Sequence, residues 1–324
     1  MIFIEMFNLK ILLVLVISAF LSWYFLKLLI PILNKFFIDN PNNRSSHDFP
    51  KPSAGGIPFV LVITSFETIM GNFQPLICLP LAIIGFCDDL RGMSKYLRYF
   101  FQVLTILFLM INSSILFLLK ENFQEISSLF LILFIVFFGT AIINFTNFMD
   151  GSDGIVAGSM IIIYFVFSLL VSNSYMTLCG ALIGFICWNW YPSKVFMGDG
   201  GSTFLGALLV GLIFNAESME IILKILIIIS PLFCDALICL LRRLFYRQRI
   251  FEAHCSHLYQ RLVRSGWSHS EVAILYMGCI FAIAIIMIIG GIKFIPPIII
   301  SEFLLGFWLD QNIALPFTKS FDKR

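Results

Sequence analysis

Charge is scarce in this chain. Lys, Arg, Asp and Glu supply 12% of its 324 residues, whereas hydrophobic residues supply 60% and mean hydropathy is +0.97. An average soluble domain carries about twice that share of charge, so the shortage excludes a soluble globular fold. The net charge of +2, with no basic run interleaved with aromatics, excludes nucleic-acid binding. The eight cysteines include no C-x-x-C pair, and seven lie in or beside apolar runs, where a thiol acts as a small hydrophobe. A disulfide framework is therefore not expected. No internal repeat, low-complexity linker or second polar domain interrupts the sequence, and residues 1–324 read as one integral-membrane domain.

What the chain does have is apolar runs. A membrane span needs about 20 apolar residues, and eleven segments come near that length: 9–33, 57–71, 73–87, 97–119, 128–146, 155–172, 174–190, 201–216, 219–241, 270–290 and 294–309. The expectation is an all-α polytopic membrane protein of ten or eleven spans. The first run is too long for a signal-peptide core and lacks a small-residue cleavage site, so it reads as a retained span. Alternate loops differ sharply in charge. One set holds 16 of the 21 Lys and Arg residues, and the other holds only Lys10, Lys120 and Lys293. Positive-inside asymmetry makes the first set cytoplasmic, with the N-terminus outside and the C-terminus inside.

Ionisable groups at membrane depth are costly and mark function by default. Here they gather at one face, in the loops 34–56, 88–97, 144–154, 189–203 and 242–268. The pair Asp88 and Asp89 could be no more than a helix cap or a solvated loop start. The DGSDG run at 150–154 has turn composition, yet a plain turn needs no Asn144 and Asn147 one helical turn apart at a span's end. His254, Cys255 and His257 sit on one short segment without a further ligand at standard spacing, which argues against zinc. With Arg242, Arg243, Arg247, Arg249 and Arg261 around them they read as an anion site, against the blander reading of a basic loop on lipid head groups.

Asp199 lies in GDGGS, whose glycines let backbone approach a ligand. Ser202 and Thr203 are expected to open the next helix, where free N–H groups favour phosphate. A carboxylate there would repel phosphate unless a divalent cation stood between them, and Mg²⁺ suits that role.

These motifs resemble the polyprenyl-phosphate N-acetylhexosamine-1-phosphate transferases of glycosyltransferase family 4. The resemblance spans almost the whole chain, through RSSHDFPKPSAGG (44–56), GFCDDLRGMS (85–94), NFTNFMDGSDGIVAG (144–158), WNWYPSKVFMGDGGSTFLG (188–206), SPLFCDALICLLRR (230–243) and AHCSHLYQRL (253–262). It looks closest to the bacterial O-antigen initiating branch. The peptidoglycan branch has a lysine two residues after the double Asp, a T-P-T-M-G-G segment and a triple histidine. This chain instead has Leu90-Arg91-Gly92, Lys51-Pro52-Ser53-Ala54-Gly55-Gly56 and His254-Cys255-Ser256-His257. A third Asp after the pair, found in enterobacterial GlcNAc-transferring members, is absent too.

The resemblance implies that Asp199 ligates Mg²⁺ (Mn²⁺ being the alternative ion), with Asn147 a second candidate ligand. Asp88 and Asp89 would stand beside the lipid phosphate. Asn147, Asp150 and Asp153 would line the nucleotide pocket, with Phe196 stacking on the uracil. His254, His257, Arg247 and Arg249 would hold phosphate or sugar, and Arg44 and His47 would contact substrate. The implied substrates are a UDP-N-acetylhexosamine and undecaprenyl phosphate, at the cytoplasmic face of a bacterial inner membrane, with a homodimer as the candidate assembly. Two rivals fit less well. A transporter would place its polar groups near the bilayer midplane, and an intramembrane prenyltransferase would need two longer Asp-rich motifs.

Overall fold

A chain this apolar must satisfy its backbone hydrogen bonds internally, which in lipid leaves helices or closed barrels. The computed structural model describes residues 9–41, 49–123, 126–170, 175–249 and 254–321. It is all-helical apart from one two-stranded ladder. The helices are α1 (Leu9–Phe36), α2 (Ile57–Ile69), α3 (Gln74–Arg91), α4 (Lys95–Ile111), α5 (Ile115–Asn122), α6 (Ser128–Met149) and α7 (Ile155–Leu170). There follow α8 (Met176–Asn189), α9 (Asp199–Phe214), α10 (Met219–Ile228), α11 (Ser230–Phe245), α12 (Leu258–Arg264), α13 (His269–Gly290) and α14 (Ile295–Asn312). The strands β1 (Ile38–Asp39) and β2 (Lys51–Pro52) pair antiparallel, Ile38 opposite Pro52 and Asp39 opposite Lys51.

Four of these helical segments are long and apolar enough to cross a membrane, or up to six if each sharply bent pair counts as one span. The eleven expected spans are thus not eleven long rods. The run 97–119 is broken into α4 and α5, bent by 74°, and 219–241 into α10 and α11, bent by 70°. The second break falls where Pro231 enters at the first turn of α11, a position proline favours because its missing N–H is not needed there. Helices α7 to α9 have 14 to 16 residues, about 21–24 Å at 1.5 Å per residue, short of a hydrocarbon core of about 30 Å.

Helix α9 is the hub. Every residue from Gly200 to Phe214 is buried, as expected for a helix that is apolar all round. It packs against α3, α6, α4 and α2, and the Tyr164 hydroxyl of α7 donates to the Leu205 carbonyl at 3.0 Å. The outer helices turn large side chains outward, among them Phe20, Phe137, Ile300 and Phe307, all more than half exposed. Because α9 is enclosed, whatever stands at its N-terminus is held by several helices at once.

Candidate active site

Two close approaches set the position of Asp199. Gly198, the residue before α9, has φ +80°, a left-handed conformation that favours glycine. A Cβ there would also meet the Asp89 carboxylate and the Ala54 nitrogen. Gly85 on α3 lies against the Gly200 backbone so tightly that an added Cβ would collide with the Gly200 Cα and nitrogen. The glycines of GDGGS therefore serve helix–helix approach as well as the turn.

That approach brings Asp88 and Asp89 to the start of α9. Asp89 Oδ1 accepts from the Asp199 backbone N–H at 3.0 Å, and Gly201 and Ser202 donate to the Gly198 carbonyl, each at 3.1 Å. The helix opens at Asp199, three residues before the expected Ser202, and these N–H groups already have acceptors. The expectation of free N–H groups for phosphate at Ser202 and Thr203 is corrected accordingly. Asp89 Oδ2 is buried without a hydrogen-bond partner among the described residues. Burial, then the charge of Asp199, pushes the Asp89 carboxyl well above the usual carboxylate range.

Arg98, in the first turn of α4, joins the cluster. Its Nη1 donates to Asp88 Oδ2 at 2.6 Å and to Asp199 Oδ2 at 2.9 Å. Asp88 also accepts from the Met93 backbone N–H. Asn147, on the last turn of α6, donates its amide to Asp199 Oδ1 at 3.0 Å and to Ser202 Oγ at 2.9 Å. Four helices thus converge on one point holding three carboxylates, one amide and one guanidinium. The donors are hard oxygens, the Asp89 oxygen is unpaired, and one arginine does not balance three carboxylates. Such a set fits a divalent cation of the Mg²⁺ type.

Beside it lies a loop system. Asp150 follows α6, and burial, then the carboxylates of Asp199, Asp89 and Asp153, lifts it well above the ordinary range. The buried Asp153 accepts from the Ser193 N–H at 2.9 Å and pairs with Lys51 Nζ at 3.6 Å. Lys51 also donates to Ser193 Oγ at 3.0 Å and lies 5.1 Å over the Phe196 ring. Phe196 is held in turn by the Pro52 and Gly55 backbones, both at 2.8 Å. Asn189 clamps the loop, accepting from Gly154 N–H at 3.1 Å and donating to the Val195 carbonyl at 3.0 Å. His269 Nδ1 accepts from the Asp153 N–H at 3.2 Å, and its ring stacks on Tyr191 at 5.4 Å.

The histidine segment forms the adjoining wall. Asp235 on α11 accepts from Leu258 N–H (2.7 Å), Tyr259 N–H (3.0 Å) and the Tyr276 hydroxyl (2.7 Å). It thereby caps α12 and fixes Tyr259, whose hydroxyl donates to the Phe148 carbonyl at 2.9 Å. His257 is 2% exposed, with its ring stacked 4.9 Å from that of His254. Burial, then His257 and Arg243, pulls His254 down to about 3. His254 is therefore neutral at pH 7 and adds no positive charge to the anion site that the sequence suggested.

Of the expected site residues, Asp88, Asp89, Asn147 and Asp199 meet directly, and Asp150, Asp153 and Phe196 surround them. Arg44 and His47 lie outside the described residues. Arg247 has φ +54°, and the Arg249 carbonyl accepts from Arg243 at 2.5 Å. Asn144 stands apart from the carboxylates, exchanging hydrogen bonds with Gln102 of α4 at 3.0 and 3.3 Å. Sequence reading missed Arg98, Lys51, Asp235 and His269 as site residues. Arg98 and Asp235 offered a signal, since a charge inside an apolar helical run needs a partner.

Residues 75–217 match the family model described as glycosyl transferase family 4. The Bacillus subtilis "Probable undecaprenyl-phosphate N-acetylglucosaminyl 1-phosphate transferase" is 26% identical over 285 residues, 78% of this chain and 77% of that protein. The Thermotoga maritima undecaprenyl-phosphate alpha-N-acetylglucosaminyl 1-phosphate transferase is 30% identical over 173 residues, 53% of this chain and 55% of the relative. The Clostridium novyi phospho-N-acetylmuramoyl-pentapeptide-transferase is 29% identical over 293 residues, 77% of this chain and 87% of the relative. The matched region contains the paired aspartates of α3, Asn147 and the start of α9, and through it the chain is similar to glycosyl transferase family 4.

Proposed function

We propose that this protein transfers an N-acetylhexosamine 1-phosphate from a UDP-sugar to undecaprenyl phosphate, releasing UMP. The product, a polyprenyl pyrophosphoryl sugar, would begin a lipid-linked cell-envelope polysaccharide of the O-antigen kind. The reading is carried by one observation: Asp88, Asp89, Asn147 and Asp199 meet at one end of an apolar bundle. The relatives support it, since their names specify sugar-phosphate transfer involving a polyprenyl phosphate or a peptidoglycan precursor.

Phosphoryl transfer depends mainly on positioning and charge neutralisation. Asp199, oriented by Asn147, would hold Mg²⁺ or Mn²⁺. When bound, that ion stabilises charge on the leaving phosphate. Arg98, already between Asp88 and Asp199, supplies a fixed cation beside the reacting phosphates. Asp88 orients or deprotonates the acceptor, and a strong base is not required, because a phosphate monoester with a second pKa near ~6 is mostly ionised at pH 7. Asn147, Asp150 and Asp153 border the nucleotide, with Lys51 and Phe196 as its cationic and aromatic contacts. His254, His257, Arg247 and Arg249 form the wall toward sugar or phosphate, and Arg44 and His47 complete the contacts. The site faces the cytoplasm of a bacterial inner membrane crossed by about eleven segments, a count from spans of roughly 20 apolar residues.

The test is incubation of purified protein with Mg²⁺, undecaprenyl phosphate and a panel of UDP-N-acetylhexosamines and UDP-MurNAc-pentapeptide. Mass spectrometry of the lipid then identifies the donor. A product from a UDP-N-acetylhexosamine supports the reading, and one from the pentapeptide donor alone moves the protein to the peptidoglycan branch. No lipid-linked product from any donor, in protein shown to be monodisperse, would sink it.

A further inference from the structure

Beneath the carboxylate cluster, two amides join α4 to α6. Gln102 Nε2 donates to Asn144 Oδ1 at 3.3 Å, and Asn144 Nδ2 donates back to Gln102 Oε1 at 3.0 Å. Asn144 Nδ2 also donates to the Thr140 carbonyl of its own helix at 2.8 Å, which fixes the plane of the amide. Gln102 is 4% exposed and lies in an apolar run, where an amide without a partner is costly. The pair has a definite place in the seam. Gln102 stands four residues beyond Arg98 on α4, and Asn144 three residues before Asn147 on α6. Each therefore shares a helix face with its neighbour, one turn further from the cluster. Arg98 and Asn147 hold the two oxygens of one carboxylate: Arg98 Nη1 donates to Asp199 Oδ2 at 2.9 Å, and Asn147 Nδ2 to Asp199 Oδ1 at 3.0 Å. Deeper again, Ile106 of α4 lies against Gly139 of α6, where an added Cβ would be 3.0 Å from Ile106 Cδ1.

Packing does not require amides here. An aliphatic pair would fill the same space, as Ile106 does against Gly139, and one interhelical hydrogen bond adds little to the stability of a membrane bundle. What a reciprocal amide pair adds is direction. It satisfies both partners in one register only, and fixing register is the best-attested use of a buried polar contact. The grip on Asp199 needs that register. A slide of one residue between α4 and α6, about 1.5 Å, would stretch one of its two contacts past roughly 3.5 Å, where a hydrogen bond is lost. We infer that Gln102 and Asn144 are positioning residues for the metal-binding carboxylate: their amide pair holds α4 and α6 in the register that lets Arg98 and Asn147 grip opposite oxygens of Asp199. They act through Arg98 and Asn147, not by contact with substrate. The inference rests on the reading of Asp199 as the ligand of Mg²⁺ or Mn²⁺.

The test compares full-length Gln102→Leu, Asn144→Leu and the double variant in detergent. Two quantities are measured: the thermal unfolding midpoint, and binding of Mn²⁺ alone, followed by the electron paramagnetic resonance signal of the free ion. Wild-type protein should bind Mn²⁺ saturably, and Asp199→Asn should not. Each single leucine leaves one amide unpaired and should lower the midpoint. The double variant leaves neither unpaired, so its midpoint should return toward wild type. Mn²⁺ affinity should instead fall roughly tenfold or more in all three, the scale on which lost outer-shell support weakens a metal site. A purely structural pair predicts otherwise for the double variant, whose affinity would then recover together with its stability. That recovery would overturn the inference, as would wild-type affinity in either single variant or a double-variant midpoint as low as those of the singles. Absence of saturable wild-type binding, or binding that survives Asp199→Asn, would overturn it too. If the single variants do not stay monodisperse, the double variant decides. The assay contains neither donor nor acceptor, so the amide pair is judged apart from the transfer reaction.

Discussion

Arg98 is the side chain whose removal is most informative. It touches two carboxylates through a single nitrogen, so Arg98→Ala leaves Asp88 and Asp199 facing each other without a cation. Loss of a charged hydrogen bond is worth about 1.5–3 kcal/mol, so turnover should fall roughly ten- to a hundredfold, with Arg98→Lys in between. Wild-type turnover in Arg98→Ala would remove it from the site. Asp199→Asn should abolish transfer while the protein stays folded, since the amide keeps a carbonyl oxygen for Asn147; substantial Mg²⁺-dependent activity in that variant would take Asp199 out of the metal role. At this scale the sequence was readable where residue type alone signals chemistry: Asp88, Asp89, Asn147 and Asp199 stand out because polar groups are rare here. Lys51 was not readable, because its partners Asp153 and Ser193 lie more than a hundred residues away and no local pattern couples them.

Among elements, the α3–α9 crossing makes the sharpest claim. Gly85→Ala places a methyl against the Gly200 backbone, which no rotamer change relieves. Overpacking of this kind costs about 1–3 kcal/mol, and thermal unfolding in detergent should show a lowered midpoint together with lost activity. The control is Gly278→Ala on the exposed face of α13, where a Cβ meets nothing within 4 Å; it should be neutral or stabilising by up to about 1 kcal/mol. A midpoint for Gly85→Ala equal to that of the control would disprove the tight crossing. Helix identity was legible from apolar length, because lipid leaves the backbone few alternatives. Helix breaks were not. The interruption between α4 and α5 falls at Asn112 to Ser114, and that between α10 and α11 at Ile229, residues that a hydropathy window averages away. The start of α9 was misread for a similar reason: glycines suggested loop, whereas Asp89 supplies the acceptor that lets the helix begin at Asp199.

For the whole molecule, the motif-bearing loops meet at one end of the bundle, while Glu67 accepts from Asn72 at 2.8 Å at the far end of α2. Single-cysteine reporters near Arg91, Ser193 and Arg249 should therefore label from the same side, and one near Lys120 from the other. Labelling of any motif loop from the Lys120 side would break the proposed orientation. The charge asymmetry that motivates this was visible in the sequence, but the packing partners were not. One of them sets a limit on when the protein can be completed. Asp310 accepts two hydrogen bonds from Arg242 of α11, at 2.7 and 2.8 Å, and another from Arg261 of α12. A ribosome makes Asp88, Asn147 and Asp199 early, so the carboxylate cluster can assemble while translation continues. The arginines that brace the histidine wall must wait for an acceptor made later than either of them, Asp310 of α14. A nascent chain released upstream of Asp310 would thus carry a finished acidic centre beside an unbraced wall, and quality control in the membrane would meet it as an unfinished protein with its chemistry already in place.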